Sequence, residues 1–330
     1  MQEKLLAIFL LSIYFISIKT IDVSTIEEFY KVVGKARAGQ VIALAPKVFN
    51  FSEVERTSDF QFSADGTKSS PITLTAQDPD HPPVLRDFHL HVTGNYWVIE
   101  NIKIEHGRIV LDNASHNTFR NVEIYSTTAG AITVRYGSSY NLFQNCYIHN
   151  TGCNNPIYGD AIGIGTPHTE KTTAADHKAD YNIIEGCVFR QISSQPIRIR
   201  EYTIGNEVVG NVFYGDGING KNECYSFITI SGSDNYIHNN VAYRNQNQYI
   251  TTAFEVKKFA EDTGDGNKFE NNVLFMDRPY TEDKYEKTMY VVDGVDAQFS
   301  VKNNKVDYGE GLLDANSEEF YNSETVTFLE

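Results

Sequence analysis

The chain has 330 residues and carries 28 basic against 43 acidic side chains, a net charge of −15. That balance excludes a nucleic-acid phosphate binder as the starting reading, and a 41% hydrophobic content excludes a disordered chain. With 20 Tyr, 20 Phe and abundant Asn, the composition favours strands and tight turns over helices.

Residues 1–20 read as an export signal: Lys4 precedes an apolar run from Leu5 to Ile18, too short to span a bilayer, which needs ~20 residues. The expected location is therefore extracellular, with no stable membrane span. Residues 21–330 are expected to form one domain. From Ser24 to Val33 a capping-type start and helical spacing predict a short helix, followed by a strand over Val41 to Leu44. Asn50 and Asn113 head glycosylation sequons.

The middle of the chain repeats. Copies of Asn, any residue, apolar, any residue, then Asn or Gly begin at Asn117, Asn141, Asn182, Asn206, Asn235 and Asn267, with a looser copy at Asn95. Steps of 22, 24, 41, 24, 29 and 32 between them mark stacked units with insertions. Second strands with alternating apolar and polar residues precede most copies: Ile109 to Asp112, Ile132 to Arg135, Ile162 to Gly165, Ile197 to Arg200, Phe227 to Ser231 and Phe254 to Lys257. Such units bury an apolar face only by stacking. The predicted architecture is all-β: a single-stranded right-handed parallel β-helix with a short N-terminal capping helix. Asn at a repeated corner is expected to form a hydrogen-bonded ladder. Residues 276–330 read as the last coil and a polar cover.

Strand alternation predicts two outward columns. One is Val110, Thr133, Gly163, Arg198, Thr229 and Glu255; the other is Asp112, Arg135, Gly165, Arg200, Ser231 and Lys257. Coils stack at ~4.8 Å, so column members on neighbouring coils are in contact range. Gly163 and Gly165 are expected to make a floor between Arg levels. The long insertion over 151–181, carrying Asp160, His168, Asp176, His177 and Asp180, would wall it.

Arg135, Arg198 and Arg200 suit an acidic glycan, because β-elimination of a uronate needs a cation on its carboxylate, a base for the C5 proton and an acid for the leaving oxygen. Arg198 and Arg200 would hold the carboxylate, with Arg200 the preferred base and Asp160 orienting the set. Arg135 and Lys257 would engage flanking sugars, and Glu201 and Glu255 would pair with the Arg residues. Calcium could bridge the signs, with Asp160, Asp176 and Asp180 as candidate ligands. Two alternatives stay open. A glycoside hydrolase would pair Asp160 with Glu201 or Glu255. A non-catalytic glycan-binding module would stack sugars on Tyr136, Tyr202 or Tyr225.

Four cysteines in an exported chain suggest two disulfides. Cys146 and Cys187 share a repeat offset, which favours their pairing and leaves Cys153 for Cys224. An inward stack of free thiols and a local link from Cys146 to Cys153 are the alternatives.

Three stretches resemble a known group: Ala38 to Pro46 with Asp65 to Asp78, Tyr158 to Gly165, and Pro196 to Thr203 with Gly210 and Asn211. They are similar to secreted pectate-lyase-like β-helix proteins, nearest in pattern to lyases of the chondroitinase B and alginate lyase type. The resemblance covers most of residues 22–275. It implies a polysaccharide lyase acting on a cell-wall or other acidic glycan; a monomer without nucleic-acid partners is expected. Lyases of this type carry acidic calcium ligands and a Lys base where Arg198 and Arg200 stand here, and Thr229 and Ser231 follow on the next coil. At this point the chain departs from that pattern, and Arg200 is the candidate base, as Arg serves in pectate lyases.

Overall fold

The computed structural model describes residues 20–53, 60–166, 178–221, 225–257, 263–277, 287–291, 298–315 and 327–328. Expectations for residues 1–19, Asp176, His168, His177 and Cys224 lie outside these. Among the described residues no helix is long and apolar enough to cross a membrane.

Three sheets run the length of the molecule, with twelve, nine and eleven strands. Thr20–Val23 and Val41–Leu44 share the twelve-stranded sheet; from there successive strands go to different sheets and each pairs parallel with its counterpart one coil away, as in Ile132–Arg135 beside Ile162–Ile164. The exception is Leu312–Asp314, which lies antiparallel to Lys305–Asp307. This is a parallel β-helix, as the repeat predicts.

Every-second-residue alternation builds the core. Ile109, Ile132, Ile162, Ile197 and Ile228 stack in register, all buried, with Phe254 continuing the column. Phe119 stacks on Phe143 at 5.1 Å, and Phe189 on Phe213 at 5.0 Å. Like-on-like stacking keeps side-chain volume constant from coil to coil, which preserves dense packing.

The N-terminal end is closed by helix α1, Ile26–Val33. Thr25 is its cap, and Glu28 completes a capping box, with Glu28 N donating to Thr25 Oγ1 at 3.1 Å and Thr25 N to Glu28 Oε2 at 3.1 Å. Such a cap contributes about 1 kcal/mol. The helix buries Phe29, Tyr30 and Val33. Phe29 sits edge-on to Phe51 and Phe88 at 5.3 Å each, sealing the open end of the core.

Two corners carry ladders. At the first, Asn117 donates to Asn141, Asn141 to Asn182, Asn182 to Asn206 and Asn235 to Asn267, at 2.9–3.1 Å. At the second, Asn211, Asn240, Asn272 and Asn304 do the same at 2.9–3.0 Å. Between the two ladders the chain turns through a left-handed residue: Asn121, Asn145, Asn239 and Asn271 at φ 52–55°, Gly186 at 62° and Gly210 at 65°. Only Asn and Gly adopt that conformation at little cost, which explains the alternation of these two residues in the repeat.

Cys146 and Cys187 occupy the second ladder's positions on the preceding coils. Cys187 N donates to Asn211 Oδ1 at 2.8 Å, and Cys146 N donates to Cys187 Sγ at 3.4 Å. Both are buried free thiols, and Cys153 is an exposed one. The expected disulfide between Cys146 and Cys187 is thus absent from the structure. Cys187 Sγ accepts from the Cys146 backbone, and the two thiols hydrogen-bond to each other without a covalent link, as in the stacked-thiol alternative.

Candidate functional site

The nine-stranded sheet carries the predicted columns on its outer face. Val110, Thr133, Gly163, Arg198, Thr229 and Glu255 are paired in that order. The second column continues beyond the strand ends, where Gly165, Arg200, Ser231 and Lys257 each donate a backbone hydrogen bond to the preceding coil.

Asp160 stands at the corner before Ile162–Ile164 and reaches to the next coil. Its Oδ1 accepts from Ser194 Oγ at 2.7 Å and Gln195 N at 3.3 Å. That leaves Oδ2 to face two cations, Arg198 Nε at 3.3 Å and Arg200 Nη2 at 4.0 Å. Two guanidiniums thus share one carboxylate oxygen, while Glu201 also attracts Arg200 and Glu255 attracts Arg198. Burial, then the adjacent Arg198 charge, lowers the proton affinity of Arg200.

Glu255 is 4% exposed. Its Oε2 accepts from Thr229 Oγ1 at 3.0 Å, and its Oε1 faces Lys257 Nζ at 3.3 Å. Gln195 Nε2 donates to Thr229 Oγ1. Burial raises the Glu255 pKa above the ordinary carboxylate value, against the pull of Lys257, Thr229 and Arg198. A polar chain therefore runs from Gln195 through Thr229 and Glu255 to Lys257.

The glycines differ from the expected floor. Gly163 and Gly165 are buried, because Arg200 lies over them. A Cβ on Gly163 would stand 4.0 Å from Arg200 Nη2, and one on Gly165 would stand 2.7 Å from Arg200 Cβ. The missing side chains make room for Arg200 rather than for a ligand. Glu201, expected at the surface, is 4% exposed, because strand alternation turns inward directly after Arg200. Tyr202 follows at the corner, half-buried, with φ 63°. Arg135 is bound to Asp112, Nε to Oδ1 at 2.6 Å and Nη2 to Oδ2 at 3.2 Å, two coils from Arg198.

Asp160 and Asp180 are not brought together. Asp180 lies at the opposite end of the coil, where its Oδ1 accepts from Ile204 N at 2.9 Å. Among the described residues no group of three His, Cys, Asp or Glu is placed to hold a cation. Among the described residues the donors at Asp160 do not make a calcium set, since two Arg face that carboxylate; Asp176 lies outside the described residues. The extra residues of 151–181 also divide, part before Ile162–Ile164 and part after it.

Ser194, Gln195 and His91 were not visible as site residues in the sequence. Ser194 and Gln195 lie in a corner, where no periodicity marks an outward position. His91 precedes the first repeat copy.

A single chain wound into three parallel sheets, with a cationic strip on one outer face, defines a parallel β-helix protein of the pectate-lyase-like type. The chain belongs to that family, which includes an alginate lyase from Paenibacillus sp. str. FPU-7. The two are 31% identical, covering 93% of this chain and 98% of that one, with a TM-score of 0.79. Pectate lyase Pel9A is similar at 16% identity, covering 90% of this chain and 73% of its own, with a TM-score of 0.58. A lacto-N-biosidase from Eubacterium ramulus matches at 12% identity over 86% of this chain and 59% of its own, with a TM-score of 0.60. At those identities the likeness is one of fold, and it spans a lyase and a glycosidase. No protein-family model and no curated protein matches the sequence.

Proposed function

We propose that the protein is an extracellular polysaccharide lyase that cleaves a uronate-containing glycan by β-elimination. The observation that carries this reading is the pair Arg198 and Arg200 converging on one oxygen of Asp160. The Arg198 guanidinium suits a uronate carboxylate, which it holds through charge-assisted hydrogen bonds. The extracellular assignment rests on Lys4 and the apolar run after it.

Arg198 binds the substrate carboxylate and makes the C5 proton acidic. Arg200, whose proton affinity is depressed by burial and by the Arg198 charge, first gives up a proton to solvent and in that neutral form takes the C5 proton. The electron pair forms the C4–C5 double bond as the C4–O bond breaks. The charge Arg200 gains then lies beside the developing enolate, where it stabilises the transition state. Lys257, held by Glu255, gives a proton to the leaving oxygen. The hydrolytic alternative fits less well: Asp160 is engaged by Ser194 and Arg198, Glu255 by Thr229 and Lys257, and Glu201 is buried.

The test is incubation with alginate, pectate and glycosaminoglycans, following ultraviolet absorbance of the unsaturated product. Reducing ends released without that absorbance would transfer the assignment to a hydrolase. Binding without any product would leave a glycan-binding module.

A further inference from the structure

The cationic strip continues past the proposed reaction centre toward the N-terminal end of the same sheet. His91 Nε2 lies 2.8 Å from Asp112 Oδ2, and Arg135 grips the same carboxylate through two nitrogens. His89 pairs in register with Arg108 on the next coil, and both are exposed. Arg108 has no carboxylate within ion-pair distance among the described residues. Its proton affinity is lowered by desolvation and then by the Arg135 charge, while that of His89 is lowered by desolvation and then by Arg108. Of the acidic groups near this part of the face, Asp87 acts on His89, and Asp112 is already shared between Arg135 and His91. In a chain of net charge −15, Arg108 is thus, among the described residues, a cation without an ion-pair partner held on a rigid sheet.

We infer that Arg135 and His91, held by Asp112 at one end of the strand Arg108–Asp112, and Arg108 at its other end form a distal subsite for a second carboxylate of the same anionic glycan. The inference rests on the lyase reading and extends it to how the polymer is held. Arg135 is two coils from Arg198 and Arg108 is three, so the subsite lies roughly 10–14 Å from the reaction centre along the solenoid axis. Coulomb attraction screened over ~10 Å does not carry an exposed cation's effect that far, so Arg108 acts by direct contact with substrate. A short oligouronate bound at Arg198 and Arg200 does not reach it; a longer one does. Asp112 is a positioning residue, fixing the Arg135 plane and the His91 ring.

The experiment compares kcat/KM on a uronate trimer and a decamer for wild type, Arg108→Ala, Arg108→Lys and Arg135→Ala. Wild type is expected to favour the decamer. In Arg108→Ala the decamer-to-trimer ratio falls about tenfold, through KM, as loss of one charge-assisted contact implies. Arg108→Lys restores most of the ratio. Arg135→Ala gives the same pattern if it folds, but it leaves Asp112 with His91 alone. Arg108 is exposed, so its replacement keeps the test free of folding defects. A ratio unchanged in Arg108→Ala overturns the inference, whereas absence of cleavage by wild type overturns the lyase reading. In the latter case, calorimetric binding of a polyuronate decamer still decides the subsite: an equal Kd for wild type and Arg108→Ala rejects it.

Discussion

Gly165 and Arg200 are placed so closely that the one requires the other's shape. A Cβ on Gly165 would fall 2.7 Å from Arg200 Cβ, and Gly165 holds φ at +100°. Gly165→Ala should therefore lower stability by about 1–2 kcal/mol from the left-handed backbone alone, and displace Arg200 as well. Turnover should fall at least tenfold. Gly163→Ala is the control: its Cβ would meet Arg200 Nη2 at an ordinary 4.0 Å. Urea midpoints and initial rates for the two variants should separate clearly. Equal effects would show that Arg200 does not depend on the Gly165 backbone.

Glu255 gives a pH prediction with a definite sign. Its pKa is raised by burial above the ordinary carboxylate value, so folding shifts it toward the protonated form. Stability from that preference is present below pH ~4.5 and is lost as pH rises through the raised value. Glu255→Gln removes the titration. The variant should gain thermal stability relative to wild type at pH 7–8 and show little difference at pH 4. It should also lose activity, because Lys257 loses the carboxylate that fixes it. A stability difference that grows toward low pH would reverse the assignment.

The columns of the nine-stranded sheet were legible in the sequence because period-two alternation and repeated corners set the register. Val110, Thr133, Gly163, Arg198, Thr229 and Glu255 pair in the order the alternation required. What a missing side chain means was not legible. Gly163 and Gly165 suggested an open floor, yet the flexible Arg200 side chain covers them. Asp160 was legible as a polar loop residue. Its anchoring by Ser194 and Gln195 depends on a corner conformation that no periodic signal encodes. The disulfide expectation failed for a related reason: a shared offset fixes neighbouring Cα positions and leaves sulfur direction open.

Chelation supplies a further prediction. Arg198 and Arg200 occupy the charge-neutralising position beside Asp160 that a divalent cation would otherwise take. Activity on a confirmed uronate substrate should survive extensive dialysis against a strong chelator. Added calcium should change the initial rate less than twofold. Loss of turnover on chelation, restored by calcium alone, would show that the Arg pair does not suffice.

The ladder at the second corner makes Cys187 the most informative position for stability. Asn211 Nδ2 donates to Ile184 O at 2.9 Å, and one coil earlier the Cys187 thiol donates to Phe143 O at 3.5 Å. The same site thus makes a strong amide bond with Asn and a weak one with Cys. An Asn at 187 would also present its amide to Asn211 Oδ1, as Asn211 does to Asn240 Oδ1 at 3.0 Å, and its oxygen to the Cys146 backbone N–H. Each neutral hydrogen bond gained is worth about 1 kcal/mol net. Cys187→Asn should therefore raise the urea midpoint by an amount equivalent to about 1–2 kcal/mol, without changing the denaturant slope. Non-reducing peptide mapping of wild type should recover Cys146 and Cys187 as separate thiols. A disulfide between them, or a lower midpoint for Cys187→Asn, would show that the sulfur at 187 serves a bond the ladder geometry does not contain.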